Sequence, residues 1–284
     1  MSNNPIVGRW DAVVHGREGA FPTWFQINED GTGSFVGQVG SARPIREVSI
    51  DGGHVVFILP PQYEGRKDDL RFEGHFTGQA LRGTTTDNDG TILQWEADPA
   101  PELPYRDVAW GEPVELIQAD LSNWEPRSPN GESHWSIQDG CLVNAKVGSD
   151  IVTKDRFTDF RLVCEYKYPP GSNSGIYLRG RYEVQILDDY GKEPSVGSSA
   201  AVYGCIKPST NAVNPPEEWN VSEIELVGRW VTITLNGQTV IPRTEIPGIT
   251  GGALDSHEGA PGSLFLQGDH GPITFRKVTI RAAL

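Results

Sequence analysis

Apolar and polar residues alternate with a two-residue period along much of the chain, the mark of strands that bury one face. Asp159–Tyr168, Trp230–Leu235 and Ile273–Ile280 each read this way. Asp139-Gly140 and Asn236-Gly237 interrupt the pattern, and such dipeptides favour the left-handed positions of a two-residue hairpin turn. In Tyr182–Asp188, Val184 and Ile186 alternate with Glu183 and Gln185. In Gly175–Arg179, Ile176 and Leu178 alternate with Tyr177 and Arg179. If the aliphatic members are buried, one sheet face presents Tyr177, Arg179, Glu183 and Gln185. An ordinary wet face carries cheaply hydrated Thr, Ser or Lys. This one is a polar site of sugar size.

The same rule resolves residues 6–98 into short strands about ten residues apart, separated by Asp-Gly and Asn-Asp-Gly turns, as in an antiparallel sandwich or barrel. With Gly8-Arg9-Trp10 opening the meander, this part resembles a small lipocalin-like barrel. The run Asp98–Pro104 is proline-rich. The expected organisation is a small β-barrel over 1–98, a linker over 99–112, and a second β domain over 113–284. One long loop, Asp188 to Glu218, has no clear period, which in a compact domain points to function.

Composition narrows the function classes. Twenty-four Lys and Arg stand against 38 Asp and Glu, a formal net charge of −14. The deficit is even, −7 on residues 1–110 and −7 on the rest. Nucleic acid and anionic membrane are therefore not expected as partners, and no apolar stretch approaches spanning length. Three cysteines, Cys141, Cys164 and Cys205, suit free thiols rather than a disulfide framework. The first residues have neither a basic start nor an apolar core, so a cytoplasmic protein is expected, with a secreted protein trimmed of its leader as the alternative. The oligomeric state is open at this level.

Several short motifs stand in order: Asn173–Arg179, Tyr182–Asp188, Glu218-Trp219-Asn220 with Glu223-Ile224, Leu235-Asn236-Gly237, and Leu266–Pro272 before Phe275-Arg276. Together they resemble the 3-keto-disaccharide hydrolase domain family, over about residues 113–284. The resemblance implies an all-β fold, a concanavalin-like or laminin-G-like jelly-roll sandwich with a concave sugar-facing surface. It implies a carbohydrate substrate, a glycoside with a ketone at C3, opened by proton abstraction at C2 and elimination, with or without hydration. Two rivals stay open: a non-catalytic carbohydrate-binding module, and an ordinary glycosidase using two carboxylates such as Glu183 and Glu223.

Within that frame Glu183 is the expected catalytic base or metal ligand; its bland reading is an ion pair with Arg179 or Arg181. His270 is the expected second acid–base group or ligand, against a turn-capping role. Tyr177, Arg179, Gln185, Glu223 and Gln267 are expected to bind substrate oxygens, and Tyr203 and Trp219 to stack on a pyranose ring. Asp188 is a candidate ligand for a hard cation, weighed against a turn-forming role. A divalent metal (Ca, Mn or Co) is the one cofactor admitted; no organic cofactor is expected.

Overall fold

A computed structural model describes residues 4–284, and among these residues every regular element is a strand. The chain divides into two compact units, one made of residues up to Glu102 plus Gly248–Glu258, the other of Leu103–Pro247 plus Gly259–Leu284.

The first unit is a nine-stranded antiparallel sheet: β1 (Gly8–Gly16), β2 (Gly19–Ile27), β3 (Gly33–Val36), β4 (Arg43–Ile45), β5 (Glu47–Asp51), β6 (His54–Leu59), β7 (Leu70–Phe76), β8 (Leu81–Thr86) and β9 (Ile92–Pro99). Its hydrogen-bonded order is β4-β3-β2-β1-β9-β8-β7-β6-β5. The two ends of that order, β4 and β5, are separated by Arg46 alone, whose N–H donates to Ile58 O in β6 at 2.7 Å. The sheet must therefore curl back on itself into a nearly closed barrel. Alternate residues point inward; in β6 these are Val55, Phe57 and Leu59, all buried. The interior is aromatic, with Phe57 stacked on Phe72 at 5.0 Å and Phe25 edge-on to Trp95 at 5.9 Å.

The segment Gly248–Glu258 departs from the expected boundaries. Sequence pattern assigns it to the second domain, whereas it packs in the first unit. Trp24, on the outward face of β2, donates its indole N–H to Ile249 O at 2.7 Å. Arg9 meets the fully buried carboxylate of Glu258 at 2.7 Å, a pairing separated by 249 positions that no local pattern announces.

The second unit is a sandwich. One sheet takes the order β12-β13-β22-β15-β18-β19-β20, with β10 also on β22; these are β10 (Val114–Glu115), β12 (Trp135–Gln138), β13 (Cys141–Asn144), β15 (Phe160–Lys167), β18 (Asn220–Val227), β19 (Trp230–Leu235), β20 (Gln238–Glu245) and β22 (Ile273–Ala282). The other takes the order β11-β14-β21-β16-β17, from β11 (Trp124–Pro126), β14 (Ile151–Phe157), β16 (Asn173–Leu178), β17 (Tyr182–Leu187) and β21 (Gly262–Leu266). Both predicted hairpins form, and Asp139 (φ 51), Gly140 (φ 75), Asn236 (φ 51) and Gly237 (φ 77) all take the left-handed conformation that matches the twist of the flanking strands. All three cysteines are free thiols.

The proline-rich run and the residues after it hydrogen-bond within each unit. Ala100 N–H extends the β1–β9 edge by donating to Arg9 O. Beyond it, Leu103 O accepts from Arg229 N–H, Arg106 forks onto Asp159 at 2.7 and 3.0 Å, and Gly111 N–H donates to Ala282 O. Prolines remove donors without preventing the intervening residues from docking.

Candidate active site

Strand register decides what shares a face. Across the five-stranded sheet, Val152 pairs with Phe265, Phe265 with Tyr177, and Tyr177 with Glu183. The neighbouring row runs Ile151, Leu266, Ile176, Val184, and these side chains are buried in the sandwich core. The next row brings Gln185 opposite Gly175, whose carbonyl accepts the N–H of Gln267 at 3.0 Å. Because successive residues point to opposite faces, Phe265, Tyr177, Glu183, Gln185 and Gln267 stand together on the face turned away from the core. All five are nevertheless buried.

Glu183 occupies the centre. Tyr177 donates its phenol O–H to Glu183 Oε2 at 2.9 Å. The carboxyl lies over Gly175, where a side chain would overlap Oε1; glycine here is a space requirement, not a flexibility one. Burial pushes the Glu183 carboxyl up to about 8, helped by the negative charges of Asp269 and Asp150 and opposed by the Tyr177 hydrogen bond and by His270. At neutral pH this favours the protonated carboxyl, the form of an acid, where the resemblance leads to the expectation of a base or metal ligand.

His270 comes from the turn after β21. Asp269 hydrogen-bonds its Nδ1, and this bond, against partial burial, raises the imidazole above its usual range. The turn is held from beneath by Asp150, whose Oδ1 accepts the N–H of Gly268 at 2.8 Å and of Asp269 at 3.2 Å. Burial raises the Asp150 carboxyl, and the Gly268 N–H opposes this. Arg127 meets Asp150 Oδ2 at 3.2 Å and lies 5.1 Å over the Phe265 ring. Phe265 in turn stacks on Tyr177, 4.1 Å apart and 13° from parallel. Guanidinium, phenyl and phenol form one stack that ends on Glu183.

The long loop contributes an edge. Tyr203 N–H donates to Glu183 O at 2.9 Å, and Val202 bridges Val184. Tyr203 therefore flanks Glu183 on the same face. Gln185 Oε1 accepts the N–H of Ile186 at 3.0 Å. Gln267 is 8% exposed and its Oε1 has no partner, an acceptor ready for a hydroxyl.

Three expected members are elsewhere. Strand β16 ends at Leu178, and Arg179 turns the corner at φ 54. Its guanidinium donates to Gly228 O at 2.7 Å and Tyr182 Oη at 3.1 Å, a structural role. Trp219 lies under Arg276 at 4.4 Å and Lys167 at 5.4 Å, against the eight-stranded sheet. Glu223 is exposed on β18, while its neighbours Ser222 and Ile224 are buried. It points away from the core on the sheet opposite to Glu183. Glu183 and Glu223 do not face one another as a carboxylate pair, since the sandwich core lies between them.

The metal expectation also meets a poor donor set. Asp188 Oδ2 accepts the N–H of Gly171 at 2.7 Å, which ties the end of β17 to the turn before β16. Among the described residues no three His, Cys, Asp or Glu side chains stand together as ligands. Glu183, His270 and Asp188 do not fit a three-ligand site. Asp150, Asp269, Arg127 and Phe265 are the members that sequence reasoning missed. Only the shared alternation of Phe265 and Gln267 offered a signal.

The model of the 3-keto-alpha-glucoside-1,2-lyase-like domain matches residues 113–281. Among solved structures, the chain is similar to a candidate glycosyl hydrolase from Parabacteroides distasonis, with 28% identity, 64% of this chain and 93% of that chain covered, and a TM-score of 0.52. A second candidate glycosyl hydrolase from the same organism shows 26% identity over 61% of this chain and 100% of that one, at a TM-score of 0.47. A carbohydrate-binding module from Bacillus subtilis shows 13% identity, covering 56% and 96%, at 0.40. No curated protein matches the chain.

Proposed function

The chain belongs to the 3-keto-alpha-glucoside-1,2-lyase-like domain family, and we propose that it cleaves glycosides already oxidised to a ketone at C3. At a coarser level it is a carbohydrate-active, glycosyl-hydrolase-like protein. The observation that carries the finer reading is the buried Glu183 carboxyl hydrogen-bonded to Tyr177 and pushed up to about 8 by burial, on the unit that also carries the half-exposed Asp269–His270 pair.

A C3 ketone makes the C2 hydrogen acidic. A base removes that proton, and the electron pair passes into the enolate. Collapse of the enolate forms the C1–C2 double bond while the C1–O bond breaks, and the departing oxygen takes a proton. Water adding back at C1 would complete a net hydrolysis. The reaction needs one base and one acid. His270, oriented through Nδ1 by Asp269, suits the base in its neutral form, which the raised titration places at higher pH than for an ordinary imidazole, and Glu183 suits the acid. Gln185 and Gln267 supply donors and an acceptor for sugar oxygens. Tyr203 flanks the ring. Return to the starting state requires the proton taken up by His270 to pass to Glu183, directly or through solvent.

The test is NMR of a 3-keto-glucoside in D2O with the protein, after chelation and again with added Mn2+, Ca2+ or Co2+. Deuterium at C2, or release of the C1 substituent, is expected. Absence of both under every condition overturns the reading.

A further inference from the structure

The first unit holds a cavity of about 550 Å³ that the chemistry above does not use. It opens at one end of the barrel, and every lining residue falls between Val14 and Leu93. Its floor is made of inward-facing side chains, Val14, Phe21, Phe35, Leu70, Phe72 and Leu93. Its mouth is polar, with Arg17, Glu18, Glu64, Asp87 and Asn88, beside Tyr63, which is 68% exposed.

One wall is built rather than incidental. Arg43, 4% exposed, forks onto Glu64 and packs its guanidinium 5.4 Å over the Phe35 ring. Its Nε is buried without a partner. Gly37 lines the cavity beside this pair, and a Cβ there would come within 3.3 Å of both the Arg43 guanidinium and Glu64 Oε1. A buried ion pair is costly to assemble beside an apolar floor. Here it holds a carboxylate in place on the cavity wall.

The lining selects its ligand. Three carboxylates face one arginine at the mouth, and Arg17 is already bonded to Asp89; an anion is disfavoured. The polar rim of Glu18, Asp87 and Asn88 disfavours a lipid tail, which would strip water from these groups without replacing its hydrogen bonds. A flat ring with apolar faces and hydroxyl edges satisfies both parts, and the volume lies within the range of small-molecule sites, roughly 300–1,000 Å³. We propose that the barrel cavity is a second binding site, for a neutral glycoside whose ring stacks on Phe21 and Tyr63 while its hydroxyls reach Glu64 and Asn88.

The experiment is a titration of the whole 15N-labelled chain with phenyl β-D-glucopyranoside up to about 10 mM, beyond the weak affinities expected of one small ring, with sodium decanoate in parallel. Saturable shifts of the amides of Gly16, Phe21, Gly37 and Thr86 are expected. Tyr63→Ala and Phe21→Ala are each expected to weaken binding about fivefold, the worth of one aromatic contact, with circular dichroism unchanged. Three outcomes overturn the proposal: no saturable shift at these amides in the unmodified protein, binding indifferent to both variants, or saturation by decanoate alone. The amides of Tyr177, Glu183 and Gln185 report the other site in the same spectra, so failure here is distinct from failure of the elimination reading.

Discussion

Tyr177 Oη lies 2.9 Å from Glu183 Oε2, and the two residues are directly opposed in the β16–β17 ladder. The hydrogen bond favours the ionised carboxylate, while burial favours the protonated one, and burial wins. Burial also drives the Tyr177 phenol far above its usual range, with the adjacent Glu183 adding to the effect, so the phenol remains a donor at every working pH. Removing its O–H by Tyr177→Phe keeps the stack on Phe265. It should raise the Glu183 titration further and lower kcat by about 2- to 10-fold, the value of one hydrogen bond between neutral groups. The pH dependence of kcat on a 3-keto-glucoside checks this; the limb that reports loss of the acid should move to higher pH.

Glu183→Gln separates chemistry from stability. Turnover should fall to background. The folded carboxyl titrates near 8 against an ordinary value of 4.5, so the folded state holds a proton that the unfolded state releases. The stability associated with this group is therefore fully present below about pH 4.5 and is lost as pH rises toward about 8. The Gln variant lacks that slope. Urea unfolding at pH 5 and pH 8 should show the unmodified protein losing more stability across this interval than Glu183→Gln.

Gly175→Ala tests the space over which the carboxyl lies. The added methyl must push Glu183 Oε1 aside, at a cost of about 1–3 kcal/mol from overpacking. Turnover should fall by more than that destabilisation explains, since the folded fraction remains near unity. Parallel thermal melts and kcat measurements distinguish the two effects.

Asp269 raises the His270 titration through the bond to Nδ1. Asp269→Asn should bring the imidazole back down, moving the limb that reports deprotonation of the base to lower pH and reducing the maximal rate. Histidine C–H resonances followed across pH give the direction independently of activity.

Glu223→Gln should leave kcat within about twofold, because substitutions at exposed positions away from a site rarely matter. A large loss would revive the two-carboxylate glycosidase that the strand register argues against.

What the sequence by itself determined is whatever depends on neighbours in the chain. Two-residue alternation put Tyr177, Glu183 and Gln185 on one face, because a strand's side chains alternate whatever it packs against. The Asp-Gly and Asn-Gly turns specified their hairpins through the left-handed conformations those residues tolerate. The ordered motifs carried the family. Everything that depended on which strands become neighbours was invisible. Glu223 satisfies the same alternation as Glu183, yet it lies on the other sheet. Arg179 continues the pattern by one residue too many, because the strand has already ended in a turn. Asp150 reaches the His270 turn from 118 residues away, and Glu258 finds Arg9 from the far end of the chain. Register between distant strands is set by the packing of whole faces, a sum over many side chains, so only the folded sheet decides which buried carboxyl acquires a phenol, an imidazole and a changed affinity for its proton.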